Sequence, residues 1–467
     1  MVNFKGCKGW LITAVTFCHF FANYGFLYSY GQFLVVFQEE FGKGATVTGW
    51  LGTIPFGLTY LATPLSNALI ARYQHRLVAA IGVISCFVSL IVTSFMTSLL
   101  PMFFTFSLLY GFGINFVTAA GLNIILQYFP DKHSARAVTI ALIGCSTGLL
   151  ALNPLTYFLI NSLGWRNTLR IASAAVMATG AGAVYTFTKP PRENTDLEMK
   201  YIKIEGIRRT EEKENLFADQ MNGNDMKQKD GQKTGLTSDL LQKKMKEEEE
   251  SKLRFSQEPR PLSVLRHPEL WMLASALVVC CAGVCFFYMS LVNFLVSKNF
   301  GETRAMVMTI LGVSAVIGKV AVALVGDHLP FPKIFLLVIA NIIGAILMGC
   351  LLVAESFIPI VSVTIISGLL VISVLDTIPH AVSHQLFHPN QCLVSWTVIT
   401  SAMGSGYVVG ALLGLSMDHT GSYDSALYVC MGFFLSAALL CSFVPLYQTC
   451  SARRLVATDM ENQPVEL

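Results

Sequence analysis

The chain has 467 residues, of which 54% are hydrophobic and 13% charged, with a mean hydropathy of +0.58 and a formal net charge of +3. A soluble domain carries roughly 25% charged residues, so this chain cannot cover itself with polar groups and its solvent must be lipid. The small positive excess gives no ground for a nucleic-acid partner, and the twelve cysteines lie mostly inside apolar runs without zinc-ligand spacing, as buried thiols do.

Crossing a bilayer core takes about 20 apolar residues per helix. That measure predicts spans, in chain order, near 11–36, 48–71, 77–99, 102–128, 135–161 and 166–188. The first run is too long for a signal-peptide core and lacks a small-residue cleavage site, so it is expected to remain as the first span. Residues 189–266 are a different polymer, dense in Lys, Glu, Asp, Gln and Asn, with Lys243-Lys244-Met245-Lys246 running into four glutamates, Glu247 to Glu250. Such a stretch buries too little apolar area to offset its conformational entropy and is expected to be a disordered cytosolic linker, either a solvated tether or a partner-binding segment. A second set of spans follows near 269–296, 304–328, 333–354, 358–383, 394–417 and 424–447, and then a cytosolic tail over 449–467. The expected fold is an all-α membrane protein of twelve transmembrane helices in two six-helix bundles, residues 1–188 and 267–448.

The halves echo each other. Gly144-Cys145-Ser146-Thr147-Gly148, running on to Leu163-Gly164-Trp165-Arg166, is similar to Gly404-Ser405-Gly406, running on to Thr420-Gly421-Ser422-Tyr423. In an architecture of two repeats, substrate sites lie at the interface of the halves near the midplane. Placing both termini in the cytosol puts Lys5, Lys8, Arg72, Arg76, Lys132, Arg136, Lys333, Arg453 and Arg454 inside, and leaves Lys43, Arg166, Arg170, Lys298 and Arg304 outside. That asymmetry follows the positive-inside preference. Arg72, Arg76, Lys132 and Arg136 are candidates for a cytosolic gate, with simple anchoring as the alternative.

An ionisable side chain within a span costs roughly 2.5–3.5 kcal/mol or more, so each calls for a reason. Lys319 stands in the apolar stretch from Leu311 to Val325. Its ammonium is either an anchor for a substrate carboxylate or a structural cation, paired with an acid or snorkelling to the interface. Asp376 and His380 lie four residues apart, on one helical face. They form either a proton-exchanging pair or two separate features, a salt bridge from Asp376 to Lys319 and a histidine facing the headgroups. No P-loop, GxSxG or HExxH motif suggests an enzyme, and no cofactor is implied.

Several motifs, in order, carry a resemblance. They are Lys5-Gly6-Cys7-Lys8-Gly9-Trp10; Asn23-Tyr24-Gly25-Phe26 with the following Val35-Val36-Phe37-Gln38-Glu39-Glu40-Phe41; Tyr128-Phe129-Pro130-Asp131-Lys132-His133 leading to Gly144 and Gly148; and Asp418-His419-Thr420-Gly421-Ser422-Tyr423-Asp424. Together these resemble the monocarboxylate transporter family of the major facilitator superfamily, over both halves but not the linker. The resemblance implies secondary transport of a monocarboxylate or related small organic acid by alternating access. Lys319 stands where the family has a carboxylate-binding arginine, and Tyr24 matches a tyrosine near the substrate. It further implies residence in the plasma membrane and, for some members, a single-span immunoglobulin-type chaperone. Two departures bear on proton coupling: Tyr28 replaces a helix-1 lysine, and Ala315 replaces an aspartate four residues before the arginine. They favour asking whether the substrate is instead an amino acid or aromatic acid moved by facilitated diffusion, or whether the protein is a membrane nutrient sensor that transports nothing.

Overall fold

The computed structural model describes residues 2–129, 134–188, 261–325 and 331–461. Most of the expected linker, and Lys132, lie outside the described residues. Pro261–Arg266, counted with the linker by sequence, forms a short 3-10 turn with Val264 buried.

The described residues form twelve helical segments. In the first half these are α1 (Val2–Tyr28 and Tyr30–Phe41), α2 (Ala45–Leu61 and Thr63–Arg72), α3 (His75–Thr93), α4 (Leu99–Tyr128), α5 (Ser134–Leu163) and α6 (Trp165–Thr186). The second half contains α7 (Pro268–Ser297), α8 (Arg304–Val325), α9 (Ile334–Leu352), α10 (Phe357–Leu386), α11 (Cys392–Thr420) and α12 (Asp424–Glu461). Ten are long and apolar enough to cross a membrane, and α2, bent by 46°, makes an eleventh when its two pieces count as one span. The twelfth, α6, falls short of that measure, being rich in Ala, Gly and Thr and carrying two arginines. Both arginines sit near its start, where Arg166 pairs with Glu40 at 2.9 Å and Arg170 lies 4.7 Å over the ring of Phe95. The chain is thus a multi-pass helical membrane protein. Helix α12 continues to Glu461, into the residues expected as tail, because no proline or glycine interrupts it after Pro445.

Breaks in the helices fall at corresponding places in the two halves. Helix α1 is interrupted at Ser29 and α7 by a π-helical stretch, Phe286–Ser290; α4 and α10 carry π-helical stretches at Phe103–Tyr110 and Ser367–Ile372. Such insertions are frequent at functional sites. The bend in α2 has a local cause. Prolines cannot donate to the carbonyl four residues back, so Pro55 orphans Leu51 and Pro64 orphans Tyr60. Side chains replace the lost donors: Ser107 of α4 donates to the Leu51 carbonyl at 2.8 Å, and Thr63 donates to that of Tyr60 at 2.6 Å.

The halves meet where α2 packs on α11 and α5 on α8. Gly57 and Gly404 set the first contact, since a methyl group on Gly57 would lie 2.7 Å from the Gly404 carbonyl oxygen. Backbone approaches this close let van der Waals packing substitute for a hydrophobic force that is absent in lipid.

Candidate functional site

One cavity lies between the halves. Its wall includes Tyr24 and Tyr28 of α1, Tyr60 of α2, Cys145 of α5, Lys319 of α8, and Asp376 and His380 of α10. It reaches from mid-helix toward the end of the bundle at which α1 begins, since it is also lined by Asn67 near the end of α2, Asn123 near the end of α4 and Trp396 near the start of α11.

The charged centre is an ion pair. Lys319 Nζ lies 2.8 Å from Asp376 Oδ2, with the two side chains 2% and 12% exposed. Packing explains why two helices can bring these groups together. A methyl group on Gly318 would collide with the Leu369 carbonyl, and one on Gly368 with the Ser314 side chain, so α8 and α10 touch backbone to backbone beside the pair. The π-helical stretch that ends at Ile372 sits one turn before Asp376 and sets its direction. Two buried charges attract strongly where water is scarce, but each remains costly if its partner leaves.

Of the two sequence readings of Asp376, the geometry matches the salt bridge to Lys319. His380 is on the same helical face and lines the same cavity, but its ring packs 4.6 Å from His384 and 4.8 Å from Trp396, toward the helix end. Lys319 does not snorkel. Tyr24 is 3.4 Å from Thr118 Oγ1 through its hydroxyl, and its ring is 5.9 Å from that of Tyr28. The expected gate arginines, Arg72, Arg76 and Arg136, are exposed, and Arg72 lies 5.7 Å over the ring of Tyr73.

Sequence reasoning missed the aromatic layer beyond the pair. Tyr28 stacks on Tyr288 of α7, with centroids 4.5 Å apart and planes 10° from parallel, and Phe56 of α2 packs 4.5 Å from Tyr407 of α11. Farther out, Asp418 near the end of α11 accepts from the backbone N–H groups of Ala45 and Thr46, at 2.6 and 2.9 Å. These contacts join the halves on the side of the pair away from His380. No signal in one sequence separates Tyr288 from any other aromatic in an apolar run. Asn115 donates to the Thr59 carbonyl at 2.7 Å, beside the bend in α2, and Asn123 donates to Asn67 at 2.9 Å.

Two six-helix halves with corresponding helix breaks, enclosing a chamber with a buried ion pair, define the architecture of a secondary-transporter fold. The family model of the Major Facilitator Superfamily matches residues 12–391. The chain belongs to the major facilitator superfamily. Its relatives are monocarboxylate transporters at low identity. Monocarboxylate transporter 11 of Mus musculus is 31% identical over 180 residues, which is 38% of this chain and 40% of that protein. Monocarboxylate transporter 2 of Meriones unguiculatus is 29% identical over 166 residues, covering 36% of this chain and 34% of that protein. Monocarboxylate transporter 13 of Bos taurus is 22% identical over 464 residues, 99% of this chain and 95% of that protein. The first two matches thus span only 40% and 34% of those relatives' length.

Proposed function

We propose that the protein is a secondary transporter that carries a small monocarboxylate across a membrane by alternating access, with Lys319 as the anion anchor. The observation that carries this reading is the placement of the Lys319–Asp376 pair in the wall of the cavity between the halves rather than in packed core. A charged pair inside a membrane bundle is costly, and a cavity wall is where such a pair can exchange its partner for a visiting ion. The substrate carboxylate takes the place of Asp376 on Lys319, while Tyr24 and Tyr28 shape the pocket beside it.

Proton coupling follows from charge balance. A carboxylate displaces Asp376 with least cost when Asp376 takes up a proton, so one proton travels with one anion. Asp376 on α10 then does the work for which Ala315 on α8 leaves no acid. His380, one turn along α10 from Asp376, stands between the pair and the end of the helix as a proton relay. Both termini are cytosolic in this reading, supported by the excess of basic residues that the sequence assigns to that side, Lys5, Lys8, Arg72, Arg76, Lys132, Arg136, Lys333, Arg453 and Arg454, over Lys43, Arg166, Arg170, Lys298 and Arg304 on the other. The plasma membrane is the proposed location, and the immunoglobulin-type chaperone expected from the resemblance is the proposed protein partner.

A second reading has one observation in its favour. Asp376 beside Lys319 offers an anion for an ammonium next to a cation for a carboxylate, so a zwitterionic amino acid fits the same pair, without a proton. Uptake of pyruvate and of L-phenylalanine into proteoliposomes, with and without an inward proton gradient, separates the readings. Gradient-driven pyruvate accumulation supports the first, and gradient-independent phenylalanine uptake the second. Specific binding without flux of either would mark a sensor and overturn both.

A further inference from the structure

We propose that Tyr288 is the positioning residue that couples the Lys319–Asp376 pair to the barrier closing the far side of the cavity. The two ends of this one side chain do different things. Its hydroxyl donates to Asp376 Oδ2 at 3.3 Å, the same oxygen that receives Lys319 at 2.8 Å. Its ring, held in the π-helical stretch of α7, closes on Tyr28 of the opposite half at 4.5 Å and lies 5.4 Å from Phe56.

Asp376 therefore reaches the barrier through one hydrogen bond. A bond to a carboxylate is roughly twice as strong as one between neutral groups, so the ionised, Lys319-paired aspartate holds the phenol where its ring completes the stack. When a carboxylate occupies Lys319 and Asp376 is neutral, that acceptor weakens and stacking alone keeps Tyr288 against Tyr28. The barrier then loosens at the moment the site is filled. A ligand shifts a conformational equilibrium only through contacts that differ between the states, and this hydrogen bond is such a contact. The inference deepens the proposed transport reading and rests on it for what fills the site; the coupling itself is testable without any substrate.

The test reads the barrier directly. Cys145 is a thiol of the cavity wall on the near side of the stack, so a membrane-impermeant methanethiosulfonate reagent applied at the far face reaches it only when the barrier opens. Modification is followed on the Cys145 peptide of the full-length protein in proteoliposomes. Tyr288→Phe keeps the ring and removes the hydroxyl, and we expect labelling to rise about tenfold, the shift brought by losing one hydrogen bond to a charged group. In a Lys319→Gln/Asp376→Asn background, which leaves no unpaired buried charge, Tyr288→Phe should change labelling less than about twofold, as coupled positions in a mutant cycle do. Tyr288→Leu, which removes the ring, should raise labelling in both backgrounds. Wild-type labelling in Tyr288→Phe, or an equal rise in both backgrounds, would overturn the proposal. Absence of transport would sink the proposed function and leave this result standing.

Discussion

Asp418 and Ala45 lie on opposite halves of the molecule, and the carboxylate of the first accepts from the backbone N–H of the second at 2.6 Å. The first N–H groups of a helix have no partners within it, and the helix dipole favours an anion there. The end of α11 thus supplies a cap to α2 that α2 does not carry itself, since Gly44 precedes it. An alternating-access cycle must break this bond to open the face on which it lies.

Asp418→Asn removes the charge but keeps the shape. Amide hydrogen exchange in the first turn of α2, residues 44–49, should accelerate by about two- to fivefold, the equivalent of roughly 0.3–1 kcal/mol for a charge at a helix terminus. Unchanged exchange would mean that the cap does not hold the halves together.

The close approach of α8 and α10 predicts a second result. Gly318→Ala and Gly368→Ala each place a methyl group against a neighbour that cannot easily yield, pushing Lys319 away from Asp376. Uptake of the transported acid should fall at least about tenfold, because misplacements near 1 Å at a site can cost about a hundredfold. Gly349→Ala, whose added methyl would meet only Met431 Sδ at 4.0 Å, should behave as wild type. Equal tolerance of all three would argue against a packing requirement at the pair.

Stability of the pair gives a third. Lys319→Gln alone leaves the buried Asp376 without its cation, and removing one partner of a buried pair costs about 3–5 kcal/mol. Its melting temperature in detergent should fall, whereas Lys319→Gln/Asp376→Asn should recover most of the loss. Loss of uptake by the single variant is therefore ambiguous, and the double variant is the informative one. Equal melting temperatures for the single and double variants would show that the two charges are not coupled.

Proton coupling through Asp376 predicts a fourth. Asp376→Asn cannot exchange a proton, so an inward proton gradient that accelerates pyruvate uptake by the wild type should leave the variant's residual exchange unaffected. A variant that still responds to the gradient would move the coupling role to His380 or elsewhere.

What could be read before the structure was known follows from what lipid makes conspicuous. Apolar runs marked the spans, and Lys319 and Asp376 stood out because charge is rare there. The spacing of Asp376 and His380 put them on one helical face, and both line the cavity. The salt bridge from Asp376 to Lys319 was one of two readings left open, and spacing could not choose between them, because contacts between helices far apart in sequence leave no local pattern. For the same reason Tyr288 and the Asp418 cap were invisible. Helix α6 was anticipated as a span although its composition falls short of an apolar threshold; its arginines are accommodated by Glu40 and Phe95, partners that only packing provides. The π-helical stretches of α4, α7 and α10 had no sequence signal at all.

In the proposed mechanism the Lys319–Asp376 pair receives the substrate's carboxylate. Its most direct test is saturable uptake of a panel of radiolabelled monocarboxylates and amino acids into proteoliposomes, wild type beside Lys319→Gln/Asp376→Asn, with melting temperatures matched. We expect saturable flux of at least one carboxylate by the wild type and its loss in the double variant. Wild-type flux in a variant that has neither charge would contradict it.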